Sequence, residues 1–271
     1  MAQEMSFWDH LDVLRRMLFR IAVVVALLMV VVFINKSLVF DTLLFAPRTS
    51  DFILYRWLCD LGQWLNLPAI CEEQFSLDII NISVSGQFLT HLSMSFWIGF
   101  VFAFPYIIWE IWRFIAPALY KKEQWAVKRA FFFASFLFFV GVAIGYLLLF
   151  PIVIRFFGTY QVSALVPNTI DLSSYTGMFV VLILTMGLFF ELPMLIYILS
   201  HIGIVNRKFL RKYRRHAIVL MFILSALVTP TDLLSLFIVA IPLCLLYELS
   251  IFICKKESTK ESTKGSTNYT N

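Results

Sequence analysis

The run from Tyr175 to Ser200, YTGMFVVLILTMGLFFELPMLIYILS, carries a single charged residue, Glu191, in 26 positions. A helix of that length, at about 1.5 Å of rise per residue, crosses a bilayer with residues to spare. Lipid admits only helices and closed barrels, because each backbone polar group must find its partner within the protein. A barrel would show short alternating strands, whereas the apolar runs here are long and unbroken. The chain is therefore read as an all-α, polytopic membrane protein, in keeping with 61% hydrophobic and 14% charged residues and a mean hydropathy of +0.85.

Six transmembrane helices are predicted, at roughly residues 18–35, 88–109, 130–150, 174–200, 216–229 and 233–254. Of the 22 Lys and Arg residues, only Lys36, Arg48, Arg56 and Arg155 fall on the far side of the membrane from the N-terminus. The positive-inside rule then places both termini in the cytoplasm. The same distribution explains the formal charge of +5 as topology, and no nucleic-acid partner is implied. Spans 5 and 6 are short. Ala217 to Val228 holds no charge but rises only about 18 Å, against about 30 Å of hydrocarbon, so it must thin the bilayer or be sheltered by neighbours. Asp232, in the turn between the two, is placed to cap span 6. Glu248, near the inner end of span 6, is expected to pair with the basic residues around Lys255. Residues 1–254 form the membrane domain; the repetitive polar tail, 255–271, reads as disordered.

Ahead of span 1, Ser6 and Asp9 resemble a capping box, and Phe7, Leu11, Leu14 and Leu18 recur at helical spacing. An amphipathic helix on the inner leaflet is predicted, running into span 1. The leader is too long and charged for a cleaved signal peptide. Residues 36–87 form an outer loop of net charge −3, with a short surface helix expected from Phe52 to Leu67. Cys59 and Cys71 share this loop, and an outer pair in an oxidising compartment predicts a disulfide. Cys244 and Cys254 lie about 15 Å apart along one helix and cannot bridge. Span 3 is expected to end at Pro151, and PIVIRFFGTYQVSALV to form a second outer surface helix.

No GxSxG, no HExxH and no cysteine–histidine ligand set occurs. His10, His91, His201 and His216 are scattered over different segments. An enzyme, a metal site and a cofactor are not expected. Glu191 is the anomaly, since a carboxylate near mid-membrane costs roughly 2.5–3.5 kcal/mol on insertion scales. Pro193 removes the donor to the carbonyl of Phe189 and kinks the helix beside the acid. Gly187, one turn earlier, leaves room for a helix to approach. Three readings stand: a structural acid paired within the bundle, a proton or ion site of a secondary transporter, and a dock for a partner's transmembrane helix. A transporter would usually show internal repeats and several convergent polar groups at mid-depth. Neither is found, which favours docking. A membrane scaffold without a substrate is a further alternative.

HLDVLRR after an aromatic, FPYIIWEIWRFIAPALYKKE, GLFFELP and RKYRRHAIV…TPTDLLS…IPLCLLYE, in that order from Phe7 to about Cys254, resemble the TatC family. These are the multispanning components of the twin-arginine protein translocase. The resemblance implies a non-enzymatic receptor in the bacterial cytoplasmic (inner) membrane. It would bind twin-arginine signal peptides of folded precursors and recruit the single-span proteins TatA and possibly TatB, with export driven by the proton-motive force. It would form a homo-oligomer within a translocase complex, surrounded by membrane lipid. The implied signal-peptide surface is Phe7, His10, Leu11, Leu14 and Arg15, with Pro117, Tyr120 and Glu123. Asp12 is the candidate second acceptor, since Val13 stands where the family usually has glutamate. The implied partner-helix site is Glu191 with Pro193, plus Thr229 near the turn between spans 5 and 6. Thr231 and Leu236 also depart from the family's usual proline and glutamine. A guanidinium pair needs carboxylate or carbonyl acceptors, and Glu123 is the only acid between Lys121 and Arg215 on its side.

Overall fold

A computed structural model describes residues 7–64, 76–116, 121–161, 163, 168–228 and 233–254. Helix α1 (Phe7–Ile34) runs without interruption from the amphipathic leader through the first apolar run. A π-helical segment, Leu38–Leu44, and a 3-10 turn, Ala46–Arg48, lead to helix α2 (Ile53–Trp64). The second long helix is α3 (Gly86–Ile115). Next, α4 (Lys121–Ile144) passes through a π-helical segment, Gly145–Leu149, into α5 (Phe150–Thr159). Then α6 (Leu172–Phe190) meets α7 (Leu192–His201) at Glu191. The short α8 (Arg207–Lys212) precedes α9 (Arg214–Val228) and α10 (Leu233–Ile253).

Four segments are long and apolar enough to cross a membrane: Leu11–Ile34, Gly86–Ile115, Lys128–Thr159 and Leu172–His201. They correspond to the first four predicted spans. Helices α9 and α10, of 15 and 21 residues, pack against each other where the fifth and sixth were expected. Two expectations need correction. Pro151 does not end the third span, and PIVIRFFGT is not a separate surface helix; it is α5, continuing α4, with Phe150, Pro151, Val153 and Ile154 buried. The π-helical turn explains this. The Phe150 N–H reaches back to the Gly145 carbonyl, and this widened register absorbs the donor that Pro151 lacks.

The core lies where α4 and α5 cross α6, centred on the fully buried Phe138, Phe150, Tyr175, Leu182 and Met186. Small residues set the spacing of α4 and α6. A Cβ on Gly141 would stand 2.6 Å from the Met186 carbonyl oxygen, and one on Gly187 would stand 2.7 Å from the Phe138 ring. Helix α1 adds Val32 to this core and otherwise packs along α3, where Gly99 admits the backbone of Met29. The described residues between α1 and α3 form a folded cap. Its strand β1 (Ile79–Ile80) pairs in parallel with β2 (Ile170–Asp171). Three phenols tie the cap to the helices through backbone carbonyls: Tyr55 donates to Pro151 (2.7 Å), Tyr146 to Leu43 (2.9 Å) and Tyr175 to Leu44 (2.7 Å). Burial holds the Tyr55 phenol well above its usual range, so it remains a donor at any physiological pH. Cys59 on α2 is disulfide-bonded, whereas Cys244 and Cys254 are free thiols; Cys71 lies outside the described residues.

Candidate functional site

Glu191 occupies the break between α6 and α7. Its backbone N–H bonds to the Leu188 carbonyl at 3.1 Å, and its own carbonyl accepts from Leu195 at 2.9 Å. The helical path therefore resumes one turn later, as the missing Pro193 donor requires. Pro193 is buried, and Glu191 is half-buried with the backbone of Phe138 beside it. The helix that Gly187 admits is thus this chain's own α4. One carboxyl oxygen of Glu191, Oε1, is buried and has no hydrogen-bond partner among the described residues. Thr229 and Asp232 lie outside the described residues.

The N-terminal half of α1, with Arg15, Arg16 and Arg20, and the C-terminal end of α3, with Arg113, hold the second cluster. Asp12 is clasped within its own helix, by Arg15 at 2.8 Å and Arg16 at 2.6 Å, so both of its oxygens are engaged. Leu11 is exposed and Leu14 half-buried; Phe7 and His10 lie in the first turn of α1. Glu123 was expected in a loop, but its backbone is helical, in the first turn of α4. Pro117 and Tyr120 lie outside the described residues.

Sequence reasoning passed over Glu110. It is 3% exposed, accepts from Arg20 Nη2 at 2.8 Å through Oε2, and accepts from Tyr106 at 2.9 Å through Oε1. The signal was two opposite charges at matching depth, each at one end of an apolar run. Glu248 also has a partner on another helix, and Lys255 lies outside the described residues. Glu248 pairs with Arg214, because the α9–α10 hairpin returns the end of α10 to the start of α9. Among the described residues no group of three or more His, Cys, Asp or Glu could hold a metal ion. His91 stacks on Phe33 at 4.0 Å, with Nε2 3.1 Å from the Phe33 carbonyl oxygen.

The family model described as Sec-independent protein translocase protein (TatC) matches residues 9–242. The chain is 37% identical over 260 residues to the Sec-independent protein translocase protein TatC of Blattabacterium sp. subsp. Periplaneta americana, covering 95% of this chain and 98% of that one. It is 36% identical over 203 residues to the protein of the same name from Helicobacter pylori strain J99, covering 75% and 81%. A crystal structure of the twin arginine translocase receptor TatC in DDM superposes with a TM-score of 0.69 at 26% identity, covering 91% of this chain and 99% of that one. The apolar helices, the motif order and these likenesses agree: the chain is an integral membrane protein and belongs to the TatC family, components of the Sec-independent protein translocase.

Proposed function

We propose that this chain is the signal-peptide receptor of its translocase, and that it seats the transmembrane helix of a TatA- or TatB-like partner at Glu191. The observation that carries the docking reading is the buried Glu191 Oε1, which has no hydrogen-bond partner among the described residues. An unsatisfied acceptor in an apolar bundle is costly, and a polar side chain from an incoming helix relieves that cost, for about 0.6–2 kcal/mol. The break after Phe190 supports the same reading, since it opens the helix beside the acid. At the opposite end, Glu123 is the acceptor assigned to a twin-arginine guanidinium, in company with Phe7, His10, Leu11, Leu14, Arg15, Pro117 and Tyr120. Asp12 is a weaker second acceptor, because Arg15 and Arg16 already occupy it. Six spans, cytoplasmic termini, an inner-membrane location, homo-oligomeric assembly and a Cys59–Cys71 bridge complete the proposal.

The test uses two substitutions and three readouts. Glu191→Gln keeps size and hydrogen-bonding capacity, and should retain most partner-helix crosslinking. Glu191→Ala should lose crosslinking and export while twin-arginine peptide binding and thermal stability survive. A proton relay predicts that Gln and Ala are equally inactive with crosslinking intact. A structural acid predicts that Ala destabilises the protein and abolishes peptide binding as well. Either of those two patterns would refute docking.

A further inference from the structure

Between the N-terminal half of α1, which carries three arginines, and the C-terminal end of α3 lies a pocket of about 220 Å³ whose lining includes Val13, Met17, Arg16, Arg20, Arg113 and Glu110. Its donors and acceptors do not balance. Three guanidiniums face one carboxylate. Both oxygens of that carboxylate are already taken, Oε2 by Arg20 and Oε1 by the Tyr106 phenol. The Arg20 Nε is buried and donates to no acceptor among the described residues. Arg113 is exposed and forms no ion pair among them, whereas Arg16 is held by Asp12. The pocket therefore lacks an oxyanion, one able to accept from the Arg20 fork on one side and from Arg113 on the other.

Position selects the kind of oxyanion. The pocket opens at the end of two apolar helices, where the Trp8 and Trp109 side chains are 75% and 53% exposed, as aromatic residues are at a membrane–water boundary. Phe19 on α1 and Phe102 on α3 are exposed further along the same two apolar helices. A soluble anion would use the arginines alone. A phospholipid would use the arginines for its phosphate and this apolar surface for its acyl chains. We propose that Arg20 and Arg113 bind the phosphate of an anionic phospholipid of the inner leaflet. The bound lipid supplies the missing acceptor and offsets the excess positive charge beside the segment assigned to signal-peptide binding.

The test is lipid retention by the full-length protein. It is reconstituted in nanodiscs of equal phosphatidylglycerol and phosphatidylcholine, released into mild detergent and weighed by native mass spectrometry. Wild type should retain phosphatidylglycerol over phosphatidylcholine. Arg113→Gln leaves the Arg20–Glu110 pair intact and should lower that retention about fivefold, equivalent to ~1 kcal/mol for one basic group near the surface. Arg20→Lys keeps the charge but loses the planar fork, and should lower it too. Arg48→Gln, in the outer loop, should leave it unchanged. Equal retention of the two lipids, or an Arg113→Gln variant that matches wild type, would overturn the proposal. So would a phosphate adduct that forms as readily from inorganic phosphate in wholly phosphatidylcholine nanodiscs, since the site would then take a soluble anion.

Discussion

Removing either partner of the Arg20–Glu110 pair should destabilise the protein unequally. The two groups sit in different media: Glu110 is 3% exposed and Arg20 is 41% exposed. Arg20→Met leaves a buried carboxylate with the Tyr106 phenol as its remaining donor among the described residues. Breaking a buried pair in this way costs about 3–5 kcal/mol, and the surviving phenol places this case near the lower figure. Glu110→Gln keeps one acceptor oxygen for Arg20, its amide N–H can donate to the Tyr106 phenol oxygen, and the half-exposed guanidinium can turn to water, so its loss should be about 1 kcal/mol. Combining them removes the stranded charge. The double variant should therefore lose clearly less than the sum of the singles, a coupling of about 2 kcal/mol. Equilibrium unfolding in mixed micelles, followed by tryptophan fluorescence and far-ultraviolet circular dichroism, measures all four corners of the cycle. Equal losses for the two single variants would refute the asymmetry drawn from burial, and additive losses would refute the pairing.

The remaining predictions use the same comparison of variants. Gly141→Ala places a methyl against the Met186 backbone carbonyl and should cost about 1–3 kcal/mol, whereas Gly177→Ala meets nothing within 4 Å and should be neutral or slightly stabilising in the same unfolding assay. The Asp171 carboxylate caps α6, and its hydrogen bond from the Ser173 hydroxyl holds its pKa below the ordinary value. A depressed folded-state pKa adds stability above the unfolded value of about 3.9. That contribution should disappear as pH falls through the folded value, and Asp171→Asn should remove this part of the acid profile; an unchanged profile would exclude the cap as its source. Glu123→Ala should weaken twin-arginine peptide binding without changing unfolding, and a twin-lysine peptide should lose less, since ammonium cannot pair bidentately. Unchanged affinity would remove Glu123 from the site. Thiol labelling of denatured, non-reduced protein should count two free cysteines, and four would exclude the Cys59–Cys71 bridge.

The elements that sequence reasoning located are those set by local chemistry. Apolar length identified the four long spans, and the Glu191–Pro193 pair marked the break because both the charge and the missing donor are visible without neighbours. What escaped depends on topology. Pro151 reads as a terminus, since the widened turn at Gly145–Leu149 has no simple sequence signature. Glu110 and Arg20 are 90 positions apart, so their pairing needs the α1–α3 contact that Gly99 permits. The lysines near Glu248 in sequence lie outside the described residues, and the hairpin brings Arg214 to it. For the two acids the deciding partner comes from another helix.

The tyrosines that hold the outer cap have a bearing on how such a chain can diverge. Tyr146 and Tyr175 grip carbonyls of the cap, and Tyr55, from within the cap, grips a carbonyl of α5. Every residue type presents that same carbonyl. The amino acids at positions 43, 44 and 151 can therefore be exchanged without disturbing the acceptor, while each phenol has no equivalent replacement. Selection on the attachment falls on one side of each contact only. The cap can drift in sequence, or be re-engineered residue by residue, and stay moored at the same three points.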